Sequence, residues 1–365
     1  MDENNVRKSA VIVGASLSGL MAAIALARAG LQVTLLERTR AKPRSGAVLQ
    51  VDSGERDRTL TAQILRKLAS GGVKSVEAWS SVESRLHAEA EADPRINLHY
   101  DSGVHAVDQD VESAWVVTNN GEKYYGDILI GADGHRSMVR RHVDPHKPNA
   151  TFAGYLIWVA LVDEKDIPEE HRPTLNASRV AMLDGMGDFL LGSIVAGTDG
   201  SYAPGYRRLG WAWYDNTQND LLRLLGCVEG NVVRHSLNAA DIPKQTLIEL
   251  AKQASVRWPE PWLTAILHSI HTRNLIGTPI AEYVPDRLVK GRIAIIGDAA
   301  HVLTPLTASG FNASLQDAAA LADCVAEGIE GASAAGALLE YESKRLKSVR
   351  QIVQSGQSFS RSFGR

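Results

Sequence analysis

The sequence predicts a mixed α/β fold, in which a domain of parallel strands and helices is interrupted by an antiparallel sheet domain and followed by a C-terminal helix. Three observations support this prediction. A buried strand, a small-residue turn and a helix follow one another near the N-terminus, tryptophan and tyrosine become frequent after residue 150, and another buried strand and helix begin near residue 292. Strand–helix units favour a parallel sheet, whereas extended segments separated by turns favour an antiparallel one.

The composition is that of a globular protein with about two domains. Of the 365 residues, 44% are hydrophobic and 22% charged, and the net charge of −3 offers no basic surface for nucleic acid or an anionic membrane. The cysteines Cys227 and Cys324 form neither a disulfide framework nor a metal-binding pair, and no stretch approaches the roughly 18 apolar residues of a membrane span. We expect a cytoplasmic monomer or homodimer without a metal.

The first strand–turn–helix–strand unit lies at residues 10–37. The apolar run 10–13 is typical of a buried parallel strand, and apolar residues at helical spacing continue from Leu17 until Gly30 ends the helix. A second apolar strand then ends at Glu37. Such a unit predicts a Rossmann-like domain.

The turn in this unit reads Gly14-Ala15-Ser16-Leu17-Ser18-Gly19, a dinucleotide-binding fingerprint with serine in place of its second glycine. The first glycine makes the tight turn, the last lets helix and strand pack closely, and a pyrophosphate lies at the helix N-terminus. Glu37 stands where an acid accepts a hydrogen bond from a ribose hydroxyl. Because an acid argues against a 2′-phosphate there, the pattern predicts tightly bound FAD or NAD rather than NADP.

Later segments complete the domain plan. Short strands are predicted at 104–107, 114–118 and 123–125, and Asn120-Gly121 predicts a hairpin turn. Extended segments after residue 150 predict an antiparallel sheet, and residues 334–361 have a helical pattern. We therefore expect a discontinuous nucleotide-binding domain of residues 1–150 and 275–330, a substrate-binding sheet domain of residues 151–274, and a C-terminal helix of residues 331–365.

Two further motifs each end a predicted strand. The string GADGHRSMVR, residues 131–140, contains Asp133 and Gly134. The string GDAAH, residues 297–301, contains Asp298 and His301, and is followed by Pro305, Gly310 and Asn312 at the start of a helix. An Asp-Gly turn alone is common, so it is the ordered set of three motifs that is specific.

With these motifs in this order, the sequence resembles the FAD-dependent aromatic hydroxylases, the single-component flavoprotein monooxygenases typified by p-hydroxybenzoate hydroxylase. The resemblance covers nearly the whole chain. Within the family, the sequence is most similar to the branch of 2,6-dihydroxypyridine 3-hydroxylase. The shared features are Ser16, the stretch Ala153-Gly154-Tyr155-x-x-Trp158, and the pair Trp213-Tyr214.

The resemblance implies tightly but non-covalently bound FAD, NADH or NADPH as transient reductant, and dioxygen as co-substrate that reacts through a flavin hydroperoxide. It places the pyrophosphate at the fingerprint turn, the adenosine ribose at Glu37, the ribityl chain at Asp298, and the flavin ring near Asn312. A helix N-terminus beside the ring would stabilise negative charge on reduced flavin. The implied cofactor contacts are Gly14, Ala15, Ser16, Ser18, Gly19, Glu37, Arg38, Arg44, Val104, Asp133, Gly134, Asp298, Pro305, Ser309, Gly310 and Asn312.

The sequence departs from the family pattern at three places. Ala308 stands where members usually have the first of two glycines, and Trp79 stands where many have an arginine that contacts phosphate. The region from Arg44 to Trp79 is shorter than usual, which predicts an open substrate entrance.

Aromatic residues of the sheet domain are the candidates for binding a small aromatic substrate: Tyr155, Trp158, Trp211, Trp213 and Tyr214. Side chains alternate along a strand, so Trp211 and Trp213 share one face and Tyr214 points to the other. The sequence does not decide which face meets the flavin, and each aromatic taken singly is more often a core residue. His301 and Tyr214 are the candidate catalytic residues, although a structural role for His301 is the stronger alternative.

The function expected from the sequence is hydroxylation of a small phenol or hydroxylated N-heteroaromatic compound. The sequence contains no second complete fingerprint for NAD(P)H. This absence is consistent with transient binding of the nicotinamide nucleotide. One alternative is other redox chemistry on the same fold, such as halogenation or reduction of a prenyl chain. The halogenase signature Trp-x-Trp-x-Ile-Pro is broken after Trp213, where Tyr214 and Asp215 follow. Another alternative is a flavin-bound sensor without catalysis.

Overall fold

The computed structural model describes residues 8–40, 48–51, 57–71, 76–174, 180–184 and 187–364. Its N-terminal half alternates short strands with helices. The strands are β1 (Ser9–Val13), β2 (Gln32–Leu36), β3 (Val48–Gln50), β4 (Val76–Ala78), β5 (Ile96–His99), β6 (Val104–Gln109), β7 (Ala114–Thr118), β8 (Lys123–Gly126) and β9 (Ile128–Gly131). The helices are α1 (Leu17–Arg28), α2 (Leu60–Ser70), α3 (Trp79–Ala92) and α4 (Met138–Val143).

The remaining elements form the second sheet and then return to the first. The strands are β10 (Thr151–Asp163), β11 (Val180–Asp184), β12 (Phe189–Val195), β13 (Arg208–Asp215), β14 (Val228–Glu229), β15 (Val232–Val233), β16 (Ile276–Glu282), β17 (Val289–Lys290) and β18 (Ile293–Ile295). The helices are α5 (Asn219–Leu224), α6 (Lys244–Arg257), α7 (Trp262–His271), α8 (Gly310–Val325) and α9 (Ser333–Phe363).

The first sheet has the strand order β17-β18-β9-β1-β2-β5, and β1 pairs in parallel with both β2 and β9. Its central strands are buried, with Ile12 opposite Leu35 and Ile130, because α1, α4 and the short strand β8 pack against them. Continuous apolar runs are what a parallel sheet covered by helices requires. The expected Rossmann-like architecture is confirmed. The three short strands β6, β7 and β8 form an antiparallel sheet with Gly121 at positive φ in the turn, as Asn120-Gly121 predicts.

The second sheet is antiparallel, with the order β11-β12-β13-β10-β16. Because β16 pairs with β10 in this sheet, the second sheet continues to Glu282. The expected boundary at residue 275 is therefore too early. An apolar strand alone does not reveal which sheet it will join, since the pairing partner lies more than 100 residues away.

The three tryptophans of this sheet, Trp158, Trp211 and Trp213, are fully buried on the face that α6 and α7 cover. Each indole N–H donates to a side chain: to Asp215 at 2.9 Å, Ser269 at 3.2 Å and Asp188 at 2.8 Å, respectively. The prediction that they line the substrate cavity is wrong, because their rings are packed in the core and their indole N–H groups are hydrogen-bonded there.

The expected C-terminal helix is present as α9, which joins the two sheets. The hydroxyl of Tyr341 donates to the carbonyl of Ile295 in β18, while Phe359 and Phe363 near the other end pack on the second sheet. No helix in the described ranges combines the length and the apolar character needed to cross a bilayer.

We expect Trp213→Ala to lower the free energy of unfolding by about 3–5 kcal/mol, the usual cost of truncating a buried aromatic side chain. Urea unfolding followed by circular dichroism measures the change. Tyr206→Ala is the matched control, since Tyr206 is exposed. Equal stability of the two variants would contradict the buried position of Trp213.

Candidate functional site

A cavity of about 480 Å³ lies at the carboxyl ends of the parallel strands. Gly14 follows β1, Glu37 follows β2, Asp133 follows β9 and Asp298 follows β18, and all four line the cavity. The first turn of α8 closes another side. The carboxyl edge of an open parallel sheet is where such folds bind ligands.

The fingerprint turn packs so closely that larger side chains are excluded. Gly14 has φ of +102°, and a Cβ there would lie 2.5 Å from the carbonyl oxygen of Ala132. A Cβ on Gly19 would lie 1.8 Å from the carbonyl oxygen of Gly14. Ser16 caps α1 with extended backbone, and its hydroxyl makes no capping bond. The N–H groups that begin a helix have no partner within it, so this turn fits a pyrophosphate.

Glu37 is bonded to the same turn. Its Oε2 accepts the N–H of Ala15 at 2.9 Å and its Oε1 accepts the N–H of Thr39 at 3.2 Å. The carboxylate therefore fixes the fingerprint turn to the end of β2 while it lines the cavity. It is half-buried, and its placement fits a ribose hydroxyl as a further donor.

Asp298 presents an exposed carboxylate to the cavity, and this carboxylate makes no hydrogen bond with the described residues. Its backbone, in contrast, is held firmly. The buried guanidinium of Arg140 donates from Nη1 to the carbonyls of Asp298 at 3.3 Å and Ala299 at 3.1 Å, and lies 4.4 Å from the ring centre of Tyr283. Arg140 thus connects the second motif to the third, a link that no spacing in the sequence reveals.

Asp133 lines the cavity, as expected, but its carboxylate is hydrogen-bonded within the protein. Its carboxylate accepts hydrogen bonds from the Ser137 hydroxyl at 2.5 Å and from the N–H groups of Met138 at 2.6 Å and Val139 at 3.2 Å. Burial raises the pKa of this carboxyl group. Asp133 lines the cavity, but its oxygens face the start of α4 and organise the loop that contains Gly134.

His301 does not reach the cavity. It is fully buried, and its Nε2 lies 2.5 Å from Oδ2 of Asp317 in α8. Asp317 also accepts hydrogen bonds from the N–H of Gly297 and from Arg345. The catalytic prediction for His301 is wrong, because the ring is enclosed by the core and bonded to a buried carboxylate.

The segment before α8 explains the departure at Ala308. Pro305 begins a short helical turn, and Ala308 adopts φ of +48°. This left-handed conformation costs a non-glycine residue roughly 1–2 kcal/mol, which is why glycine is usual there. Ser309 donates its hydroxyl to the Thr307 carbonyl at 2.9 Å. Asn312 lies in the first turn of α8, and its buried Oδ1 has no hydrogen-bond partner among the described residues.

Most of the expected cofactor residues converge on this one cavity. Arg44 lies outside the described residues. Five other expected contacts are not among the residues that line the cavity: Ala15, Gly19, Pro305, Ser309 and Asn312. The cavity is also lined by residues that the sequence prediction did not include, among them Trp79, Arg136, Met138 and Phe311. The expected residues that line the wall are Gly14, Ser16, Ser18, Glu37, Arg38, Val104, Asp133, Gly134, Asp298 and Gly310.

Tyr155 and Tyr214 lie on the sheet face opposite the tryptophans, in an aromatic cluster with Phe189, Phe359 and Phe363. The Tyr155 hydroxyl lies 2.6 Å from Oγ1 of Thr304, next to Pro305. Burial, followed by the neighbouring Tyr155, raises the pKa of Tyr214 far above its ordinary value. The tyrosine face is therefore the one that meets the segment before α8.

Comparison with known proteins agrees with this geometry. The FAD binding domain family matches residues 7–73 and 263–356, and an FAD binding domain-like family matches residues 152–272. The chain is 25% identical to 2,6-dihydroxypyridine 3-monooxygenase of Paenarthrobacter nicotinovorans over 358 residues, 92% of this chain and 86% of the relative. It is 29% identical to 3-hydroxybenzoate 6-hydroxylase 2 of Aquipseudomonas alcaligenes over 263 residues, 71% of this chain and 69% of the relative.

Among solved structures, 2,6-dihydroxypyridine-3-hydroxylase from Arthrobacter nicotinovorans has the same fold. The TM-score is 0.78 at 22% sequence identity, over 98% of this chain and 93% of the other. The residues of the cavity fit FAD, because they combine a glycine turn, a helix N-terminus and two carboxylates.

We expect Asp298→Ala to weaken FAD binding by about 10- to 150-fold. A hydrogen bond to a charged group contributes about 1.5–3 kcal/mol, which corresponds to that range. Titration of the apoprotein with FAD, followed by flavin fluorescence, gives the dissociation constants. Asp220→Ala is the control, since Asp220 is exposed on α5 away from the cavity. A dissociation constant within twofold of the parent's would remove Asp298 from the FAD contacts.

Proposed function

The chain is a member of the FAD-dependent aromatic hydroxylases, and from this premise we propose that it hydroxylates a small phenol or hydroxylated N-heteroaromatic compound, with NADH or NADPH as reductant and dioxygen as oxidant. The observation that carries the proposal is a row of apolar side chains on the second sheet that is only partly covered and lies beside the segment that leads into α8. Bound FAD would supply the redox chemistry by accepting a hydride and, once reduced, activating dioxygen. The protein must hold the FAD, hold the substrate, and keep water out.

The proposed FAD contacts follow the cavity wall. The turn at Gly14 and Ser16, with the N-terminus of α1, would hold the pyrophosphate, and Glu37 would accept from the adenosine ribose. Asp298 would accept from the ribityl hydroxyls. The first turn of α8 would face the flavin ring, where a helix N-terminus stabilises negative charge.

The proposed substrate floor is a row of three side chains across adjacent strands. Ala212 of β13 pairs with Val159 of β10 on one side and with Leu191 of β12 on the other. All three are half-buried, whereas most of this sheet is buried. A flat, apolar, incompletely covered row suits one face of an aromatic ring.

The rows on either side of the floor are covered. On one side Tyr214 lies between Ile157 and Phe189, under Phe359 and Phe363. On the other side β3 approaches so closely that a Cβ on Gly210 would lie 2.5 Å from the Val48 side chain. The floor is thus bounded at both ends. Leu306, two residues before Ala308, packs in the same aromatic cluster and brings the floor next to α8.

Tyr214 borders this floor as a neutral group. Because burial raises its pKa, the hydroxyl stays protonated at physiological pH and can donate a hydrogen bond rather than act as a base. Among the described residues its hydroxyl has no hydrogen-bond partner. We infer that it orients an oxygen or ring nitrogen of the substrate.

We expect Ala212→Phe to abolish the acceleration of NAD(P)H oxidation by an aromatic substrate while FAD remains bound, because the new ring would fill the floor. A panel of phenols and hydroxypyridines identifies the substrate, and NAD(P)H absorbance and an oxygen electrode follow the reaction. Ala240→Phe, at an exposed alanine, is the control. Ala212→Val with a raised KM tests the same floor if the larger side chain prevents folding. Full stimulation in both Ala212 variants would rule the floor out.

We expect Tyr214→Phe to release a larger share of the consumed dioxygen as hydrogen peroxide, at least twofold above the parent. A substrate that lacks its orienting hydrogen bond is held less well, and misplacement of a reactant lowers the rate of its reaction. Peroxide and hydroxylated product are measured together in each reaction. Tyr206→Phe, at an exposed tyrosine, should couple like the parent. Unchanged coupling and unchanged KM in Tyr214→Phe would exclude a contact with substrate.

A further inference from the structure

The apolar row that forms the substrate floor continues beyond Leu191 to the edge of the second sheet. Leu191 of β12 pairs with Met182 of β11, so Met182 points to the same face as Leu191, Ala212 and Val159. Met182 is 63% exposed, whereas the other three side chains are half-buried. Neighbouring strands lie about 4.7–4.9 Å apart, so the row from Val159 to Met182 is about 14 Å long.

Covered rows on both sides make this row a groove that runs across the strands. On one side, Phe189 packs against the rings of Phe359 and Phe363 from α9. On the other side, Leu161 lies in one apolar cluster with Val48 of β3. Side chains on one face of a strand repeat every two residues, about 6.6 Å, so the groove is about half as wide as it is long.

The groove becomes more open toward β11. Among the described residues, β11 is the outermost strand on its side of the sheet. On the opposite side, Ile276 of β16 continues the row beyond Val159 and is half-buried, and the neighbouring Gly277 pairs with Leu237. A ligand whose ring lies on the floor therefore has room to extend toward Met182.

The row contains no charged or polar side chain between Val159 and Met182. An exposed apolar strip that is continuous with a binding site indicates that the bound molecule is itself apolar there. A charged substituent on this side of the ring would lose water without gaining a partner in the groove. A hydrocarbon substituent would bury surface of its own and of Met182.

We propose that the substrate carries an apolar chain on its aromatic ring, and that this chain lies in the groove from Ala212 to Met182. The inference rests on the proposed function, which places the ring on the floor beside Tyr214. The two strand spacings from Ala212 to Met182 measure about 9.5 Å, the length of an extended chain of about eight carbon atoms.

The test uses the holoenzyme and a series of 4-n-alkylphenols from 4-methylphenol to 4-octylphenol. Calorimetry measures their dissociation constants without NAD(P)H, and light scattering gives the oligomeric state of each variant. Met182→Glu places a charge in the groove. Val256→Glu is the matched control, because Val256 is 77% exposed and lies on α6, which covers the tryptophan face of the sheet.

We expect each added CH₂ group to tighten binding to the parent about twofold, since full burial of a CH₂ gives about fourfold and the groove covers only part of the chain. From 4-methylphenol to 4-octylphenol the affinity should rise about 100-fold. Met182→Glu should weaken the binding of 4-octylphenol at least fivefold and that of 4-methylphenol less than twofold. Val256→Glu should bind both compounds like the parent.

Equal affinity of the parent for short and long chains would overturn the proposal, as would equal 4-octylphenol affinity in Met182→Glu and the parent. If Met182→Glu dissociates a dimer and leaves 4-octylphenol binding unchanged, the proposal is also overturned, and the groove is a contact between two copies of the chain. The calorimetry does not depend on turnover. If affinity rises with chain length but no phenol stimulates NAD(P)H oxidation, the proposed function fails while the apolar groove is supported.

Discussion

The arrangement of the cavity depends on one buried carboxylate, that of Asp317. A buried charge costs several kcal/mol unless it is paired and hydrogen-bonded. Asp317 accepts from the N–H of Gly297 at 3.0 Å and from Arg345 at 2.8 Å, and contacts His301 at 2.5 Å. Burial raises the pKa of Asp317, but His301 and Arg345 lower it more, so the carboxyl stays ionised. Because these partners come from the loop after β18 and from α9, burying Asp317 requires all of them to assemble around α8.

This assembly places the functional groups of the cavity. Gly297 immediately precedes Asp298. The loop that presents the exposed carboxylate is therefore held by two hydrogen bonds, one from the Gly297 N–H to Asp317 and one from Arg140 to the Asp298 carbonyl. The same helix, α8, contributes its first turn to the cavity wall. An exposed acceptor on a rigid backbone is what a ligand hydroxyl needs for a preorganised contact. His301 serves this assembly as a buried partner of Asp317.

The two faces of the second sheet differ in how completely they are covered. One face buries three tryptophans whose indole N–H groups are all bonded within the protein, which leaves no surface for a ligand. The other face carries Tyr155 and Tyr214 and leaves the row of Val159, Ala212 and Leu191 half-covered. The proposed substrate floor and the tryptophan core can therefore lie on the same strands, since successive side chains of a strand point to opposite faces.

The local features of this protein can be predicted from its residues alone: the Rossmann-like strand and turn, the glycines that close approach requires, the hairpin at Asn120-Gly121, the α/β class and the alternation of Trp213 and Tyr214. These follow from residue type and short spacing, because backbone conformation and side-chain direction are set within a few residues. Four other features required the folded chain: which sheet face is left partly uncovered, the pairing of β16 with the second sheet, the burial of His301 against Asp317, and the contact of Arg140 with the backbone of Asp298. Each of these depends on contacts between segments far apart in the chain, and such pairings are chosen by the packing of the whole fold rather than by any local pattern.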